Sequence, residues 1–450
     1  MPKIQDKNRQ YFFWRRYVDF MFKLAYRRVE YHGKEKIPQD GAIIYAPNHS
    51  NTLMDALAVL AIDRQAKVFV ARADIFKQPT ILKFLTFLKM LPINRKRDGI
   101  GSLAKNDEIN DIIIDVLRDK IPFCILPEGT HRTKHSLMPL QKGIFRIALQ
   151  ANEVFGDKMP VYIVPVGIEF GHYFRFRSSL LVQIGEPINI TKFVDETTEL
   201  NVPQQINALR DKLTYQLQKV TLQISDDENY DAILELAKID GGCLFSRNRN
   251  RLNDKRLRVK PAMTGVLLNR FIAAKENIKN IENSLKLNHQ DTQGLLDMAN
   301  DFSQTRHSLE INLPSILNKN IIFPPVWKII LLLITFPYFI FSAVATSPIT
   351  LFSMFICSKF KDRAWHNTLK YLLSGVLLPI LFLTGIIITF ALSWKIGVIF
   401  TILFIPSFYF LHEYLRLIRL FVSDIKWLIN NDLRKQFFKI RNKTQGTKTI

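Results

Sequence analysis

The chain has 450 residues and carries 62 Lys and Arg against 40 Asp and Glu, a formal charge of +22. That length supports a sizeable core and more than one domain. The basic excess points to a polyanionic partner: nucleic acid, anionic lipid head groups or an acidic carrier protein. A mean hydropathy of +0.03 hides a contrast between a charged N-terminal part and a largely apolar C-terminal part, which favours a membrane and makes nucleic acid an unlikely partner. Cys124, Cys243 and Cys357 are odd in number, and their spacing suggests no disulfide framework or zinc motif, which fits a reducing compartment.

Residues 9–30 read as one amphipathic helix, with Phe13, Tyr17, Phe20, Met21 and Leu24 on one side and Arg and Lys flanking them. It lacks the uninterrupted apolar region and small-residue cleavage site of a signal peptide. A basic, aromatic helix of this kind suits a bilayer interface or packs on a domain core. Strand signals follow at Ala42–Ala46, Lys67–Ala71, Ile121–Leu126, Val161–Val164 and Leu180–Ile184. Helical patterns lie between them at Asn106–Arg118, with Ile109, Ile112, Ile113 and Val116 on one face, and at Lys142–Gln150. Strands alternating with helices predict an α/β layered domain over 31–220, with a largely parallel central sheet flanked by helices.

The stretch Asn48-His49-Ser50-Asn51-Thr52-Leu53-Met54-Asp55 sits where the first of these strands gives way to a helix, the place where α/β enzymes tend to keep their chemistry. A histidine titrates near neutral pH, and a nearby carboxylate fixes its tautomer and raises its basicity, which suits a base that takes a proton from an alcohol. The plainer alternative is a capping Asp beside a satisfied histidine. A second segment, Leu126-Pro127-Glu128-Gly129-Thr130-His131-Arg132, again follows an apolar run. Together the two resemble the glycerolipid acyltransferase family typified by 1-acylglycerol-3-phosphate acyltransferase. That family carries an Asn-His-(four residues)-Asp block and a Phe-Pro-Glu-Gly-Thr-Arg block. Leu91-Pro92-Ile93-Asn94-Arg95 and Val164-Pro165-Val166-Gly167 supply two further blocks in the same order. The resemblance covers 30–220. Five residues rather than four separate His49 from Asp55, with Met54 where the family places its acid; Leu126 replaces Phe, and His131 precedes Arg132.

The resemblance implies His49 as catalytic base and Asp55 as its partner. It places a phosphate-binding arginine at Arg95, and the acceptor at Glu128, Gly129 and Thr130, with Arg132 as a further phosphate ligand; Lys142 reads either as an additional phosphate ligand or as a solvated surface lysine. Pro165 and Gly167 would shape the acyl-donor side. Without the resemblance, Asn94–Gly99 is a basic loop whose cations suit a phosphate, or a solvated one.

Residues 221–320 read as a helical, basic insertion or linker, preceded by a helix at Gln204–Val220 and containing one at Met263–Leu285, with a basic run from Arg247 to Lys260 between the two helices. That run suits anionic lipid, an acidic carrier protein, the phosphates of coenzyme A, or solvent; no aromatic residues interleave with it as a single-stranded nucleic-acid platform requires. From 321 to 412 the composition is that of a membrane region. Spans are expected at 371–392 and 396–411. Residues 329–357 are too short for two full spans and are expected to form a re-entrant or interfacial hairpin bent near Pro348. A basic cytoplasmic tail follows over 413–450. Lys and Arg in 358–370 and in the tail put both on the cytoplasmic side.

These readings describe a multi-pass enzyme of the cell (inner) membrane, its catalytic domain facing the cytoplasm. It would move a fatty acyl group from acyl-CoA or acyl-carrier protein to lysophosphatidate, with no metal or redox cofactor. Glycerol 3-phosphate or another lysophospholipid is the alternative acceptor, and a non-catalytic membrane scaffold the alternative class.

Overall fold

Eight strands form one sheet in the order β1-β7-β6-β2-β5-β3-β4, with β8 pairing β6 off that path. In the chain they are β1 (Tyr26–His32), β2 (Ala42–Pro47), β3 (Val68–Arg72), β4 (Met90–Ile93), β5 (Phe123–Cys124), β6 (Val161–Phe170), β7 (Ser178–Ile184) and β8 (Ile188–Asn189). All pairings are parallel except those of β6 with β7 and β8. The expected α/β architecture with a largely parallel sheet is therefore present. Ala42, Ile44, Tyr45 and Ala46 of β2 and Val161, Ile163, Val164 and Val166 of β6 are all buried. Near-continuous apolar runs of this kind are what a parallel sheet covered on both faces requires.

This description rests on a computed structural model, which describes residues 4–94, 105–239, 265–287, 289–318 and 320–446. Arg95, Cys243 and the basic run Arg247–Lys260 lie outside the described residues. The chain divides into two units, Met1–Thr221 with Cys357–Leu372, and Leu222–Ile356 with Leu373–Ile450.

In the first unit the helices are α1 (Arg9–Ala25), α2 (Leu53–Leu60), α3 (Pro79–Phe87), α4 (Lys105–Arg118), α5 (Gly143–Phe155), α6 (Ile190–Glu196) and α7 (Val202–Val220). The core joins Ile113, Ile114, Val116 and Leu117 of α4, Ile144, Phe145, Ile147 and Ala148 of α5, and Leu209, Leu213 and Leu217 of α7 to the sheet. The face expected of α4 is rotated by one position: Ile112 is exposed and Ile114 takes its place in the core. A capping box, Asn201 with Gln204, starts α7.

The N-terminal segment departs from its expectation. The helix stops at Ala25, and residues 26–32 form the edge strand β1, parallel to β7. Arg177 closes this junction by donating to the carbonyls of Leu24 and Tyr26. Edge pairing with β7 satisfies the backbone more fully than a frayed last turn. The helix packs on the core through Tyr11, Arg15, Met21, Phe22 and Ala25, yet Phe13, Trp14 and Phe20 are exposed. It thus buries one face and presents an aromatic other face to its surroundings.

The second unit is helical: α8 (Val266–Leu287), α9 (His289–Ser308), α10 (Leu313–Ile316), α11 (Phe323–Ser358), α12 (Trp365–Leu392), α13 (Trp394–Ile429) and α14 (Asn431–Gly446), with a few residues of α11 and α12 counted in the first unit. α11, α12 and α13 are each long and apolar enough to cross a membrane. The hairpin expected over 329–357 is overturned, because α11 runs unbroken for 36 residues with Pro337 and Pro348 inside it. Pro348 removes a single donor, whereas a chain reversal in apolar surroundings would strand several amides and carbonyls. Within the helix Thr346 donates to the carbonyl of Ser342 and Ser342 to that of Tyr338. The span expected at 396–411 is the start of a longer helix, α13, and most of the tail after 413 is helical too. Within this unit Lys328 pairs with Asp424, and Arg306 grips Glu235 through Nε and Nη2 at 2.6 and 2.7 Å; all four side chains are buried.

Candidate active site

β2 and β5 are parallel neighbours in register at Tyr45 and Cys124. His49 lies four residues past the first and Glu128 four past the second. Two motifs far apart in sequence therefore leave the sheet side by side, at the carboxyl ends of its strands. The main-chain N–H of His49 donates to Glu128 Oε1 at 2.7 Å, and that of Met138 to Glu128 Oε2 at 2.9 Å. Asn48 extends the neighbouring ladder, its side chain accepting from the Ile168 amide at 2.7 Å and donating to the Ile168 carbonyl at 3.1 Å.

His49 Nδ1 lies 2.8 Å from Asp55 Oδ2. The same oxygen accepts from the amides of Ser50 and Asn51 at 2.9 and 2.7 Å, and Asp55 is fully buried. Asp55 is the third residue of α2, where a carboxylate meets free amides and the positive end of the helix. Within the five-residue gap Thr52 has a φ of 48° and turns the chain sharply into α2. Such a backbone is uncommon for a β-branched residue and marks stored strain. Asp55 fixes the imidazole with Nδ1–H as donor, leaving Nε2 as the basic nitrogen. The His49 side chain is 16% exposed, enough for a hydroxyl to reach it.

Glu128 was expected to accept from a substrate hydroxyl. The structure uses each of its oxygens for a main-chain amide and leaves the residue 4% exposed, so it holds His49 in place. Burial pushes its carboxyl above the usual range, an effect the amides of Met138 and His49 partly offset. Gly129 has a φ of 67°, a left-handed turn, and a Cβ there would meet Gln141 at 3.1 Å. Gly129 and Thr130 are exposed beside the site, and the Arg132 amide donates to the His49 carbonyl at 3.2 Å. Lys142 is exposed, one residue before α5. Pro165 is buried in β6 beside Ala46, and its ring is 2.9 Å from where a Cβ on Gly185 would lie, so it packs in the sheet. Gly167 is required because a Cβ there would run into the Val220 carbonyl.

Several groups escaped the sequence reading. Cys357–Leu372 belongs to the same unit as the His49–Asp55 turn. Thr368 Oγ1 is 2.7 Å from Thr52 Oγ1, and Asp362 Oδ2 is 2.9 Å from His131 Nε2. The His131 ring stands edge-on to that of His49, with centroids 5.7 Å apart. His135 is buried and pairs with Glu169 at 3.2 Å. The one available signal was Asp362, a lone acid in an otherwise basic loop. Among the described residues no group of three or more His, Cys, Asp or Glu is placed to hold a metal ion.

Residues 28–169 match the family model described as Acyltransferase. Glycerol-3-phosphate O-acyltransferase 2 of Saccharomyces cerevisiae is 32% identical over 130 residues, covering 29% of this chain and 17% of its own. 1-Acyl-sn-glycerol-3-phosphate acyltransferase alpha of Homo sapiens is 22% identical over 200 residues, covering 44% of this chain and 66% of its own. A crystal structure of the 1-acyl-sn-glycerophosphate (LPA) acyltransferase from Thermotoga maritima covers 48% of this chain and 83% of its own, at 18% identity and a TM-score of 0.34. The chain spans less than a fifth of the yeast relative's length and just under two thirds of the human one's.

Proposed function

We propose that this chain, whose residues 28–169 match the Acyltransferase family model and which is similar to glycerolipid acyltransferases, moves a fatty acyl group from acyl-CoA or acyl-carrier protein to the free hydroxyl of 1-acylglycerol 3-phosphate. The observation that carries the reading is the 2.8 Å contact between His49 and Asp55. His49 Nε2 removes the hydroxyl proton, and the oxygen attacks the thioester carbonyl. The tetrahedral intermediate collapses, the carbon–sulfur bond breaks, and the thiolate leaves with the proton that His49 carries. Asp55 stabilises the imidazolium formed in between. Glu128 keeps the imidazole aimed by holding its main chain. Arg95, directly after β4 and Asn94, binds the acceptor phosphate together with Arg132 or Lys142. The transfer needs no metal or redox cofactor.

Glycerol 3-phosphate is the second acceptor, favoured by the name of the yeast relative. The formed dyad favours catalysis over the scaffold reading. Three long apolar helices support membrane association, and the basic residues of 358–370 support a cytoplasmic face for the site; we place the enzyme in the cell membrane on that ground.

The test is transfer of labelled acyl groups from both donors by membranes holding wild type, His49→Ala and Asp55→Asn. Lysophosphatidate and glycerol 3-phosphate are offered separately. Product from one acceptor, lost in His49→Ala, fixes the reaction and its acceptor together. Absence of product from well-folded wild type with either acceptor overturns the assignment.

A further inference from the structure

The groups that bond the Asp55 carboxylate all belong to its own turn. Among the described residues they are His49 Nδ1 and the amides of Ser50 and Asn51, all on Oδ2, while Oδ1 is buried without a hydrogen-bond partner. The geometry of the dyad is therefore the geometry of the turn, and whatever holds the turn from outside holds the dyad. Asn51 Nδ2 donates to the Tyr173 carbonyl at 3.1 Å. Thr52, at φ 48° and ψ −122°, is held by the stretch Cys357–Leu372, which packs in the same unit. Its Oγ1 lies 3.4 Å from the Ala364 carbonyl and 2.7 Å from Thr368 Oγ1, and both threonines are buried. A hydroxyl has one proton to give. Thr52 gives its own to Ala364, so Thr368 donates to Thr52. A strained backbone persists only where its surroundings over-determine it, and here the holding groups come from 312 and 316 residues further along the chain. The stretch is fixed in turn to the loop that Asn51 bonds. Lys370 Nζ donates to the Phe174 carbonyl at 3.4 Å, and Arg363 lies over the Phe174 ring, 5.5 Å from its centroid. Tyr371 donates to the Val18 carbonyl at 3.0 Å. Turn, loop and stretch thus hold one another in a triangle.

We propose that the stretch joining the first two long apolar helices braces the His49–Asp55 turn, with Thr368 a positioning residue for acyl transfer that acts through Thr52 on Asp55. The proposal rests on the acyl-transfer reading above. Thr52 stands directly before α2, and Asp55 is the third residue of that helix. Without the bond from Thr368, the backbone of Thr52 relaxes toward an ordinary φ. The start of α2 then swings, and Asp55 Oδ2 leaves His49 Nδ1. A misplacement of about 1 Å near reacting groups costs up to ~100-fold in rate. Thr368 lies in the first turn of α12, a helix long and apolar enough to cross a membrane. The dyad is thereby tied to the start of that helix, and it keeps its geometry only while the helix start is docked on the turn.

The test uses the full chain in nanodiscs and two readouts, the first of which needs no turnover. One is the rate at which diethyl pyrocarbonate modifies His49 at neutral pH, followed by mass spectrometry. The other is steady-state acyl transfer. The proteins are wild type, Thr368→Val, Thr368→Ala, Thr368→Ser, Asp55→Asn and the Thr368→Val/Asp55→Asn double variant, each assayed below its melting temperature. Thr368→Val and Thr368→Ala are expected to move the His49 modification rate from the wild-type value toward that of Asp55→Asn. They should also lower kcat by about 10- to 100-fold, with the acceptor KM within a few-fold of wild type. Thr368→Ser keeps the hydroxyl and should restore most of both. In the double variant Thr368→Val should change neither readout further, because it acts through Asp55. Unchanged His49 modification in Thr368→Val and Thr368→Ala overturns the proposal, whatever happens to the melting temperature. So does loss of the fold in both variants, or additive losses in the double variant. A rise confined to acceptor KM also overturns it and makes the stretch a substrate contact. Failure of wild type to transfer acyl groups counts against the reaction alone, and the His49 modification rates still decide on the brace.

Discussion

The main-chain amide of His49 donates to the side chain of Glu128 at 2.7 Å, across a sequence separation of 79 residues. This bond places His49 by its backbone, while Asp55 places it by its ring. The two carboxylates have different work, and substitutions should separate them.

Replacing Glu128 by Ala leaves the half-buried amides of His49 and Met138 without their acceptor, at about 1 kcal/mol for each. Denaturation in detergent should show that loss of stability. A positioning role predicts that kcat falls while the KM for the acceptor stays within a few-fold. A rise confined to acceptor KM would instead make Glu128 a substrate ligand.

In Asp55→Asn the carboxamide no longer selects the tautomer with Nδ1–H, nor stabilises the imidazolium. A fall in kcat of about two to four orders of magnitude is expected. Steady-state kinetics of Asp55→Asn, His49→Ala and the double variant should be strongly non-additive, the double being no slower than His49→Ala.

Thr52→Val tests the hinge of the five-residue gap. It keeps the branched shape and the φ of 48° but removes the partner of Thr368 Oγ1, leaving a buried hydroxyl short of a bond. A destabilisation of about 1–3 kcal/mol is expected, together with lower kcat as α2 and Asp55 shift. Thr52→Gly loses the same bond but relieves the backbone, so its melting temperature should lie above that of Thr52→Val.

The pH dependence of Asp362 has a definite sign. Its folded-state pKa is held below the ordinary value by the Ala364 amide and His131. The stability it contributes is therefore present above its ordinary pKa of about 4 and is lost as pH falls through the folded value. Thermal melts of wild type and Asp362→Asn should differ by a constant amount from neutral pH down to about 5, and converge below about 4.

Much of the site was legible in order along the chain. A histidine and an acid after one buried strand, and Glu-Gly-Thr after another, already signalled the dyad and its neighbourhood. The sequence did not show that Glu128 accepts from the main-chain amides of His49 and Met138, because a motif fixes residue types and not the partners of their lone pairs. Nor did it show that the helix expected over 9–30 ends as an edge strand, since pairing with β7 is a non-local choice.

The membrane stretch makes the same point. Its apolar composition specified long helices, because a bilayer-length run of Leu, Ile and Phe needs only local hydrogen bonds and an apolar surround. Proline at 348 suggested a reversal, but α11 continues through it, because a proline costs a helix one hydrogen bond where a reversal would cost several. What the chain order determined by itself was the set of chemical groups and the periods of their apolar neighbours, both of which are local properties. Only the tertiary structure decided that β2 and β5 lie side by side, that Thr52 turns the chain sharply into α2, and that Asp362 reaches His131 across 231 residues. Those outcomes depend on which distant surfaces bury each other, and that is a property of the whole fold.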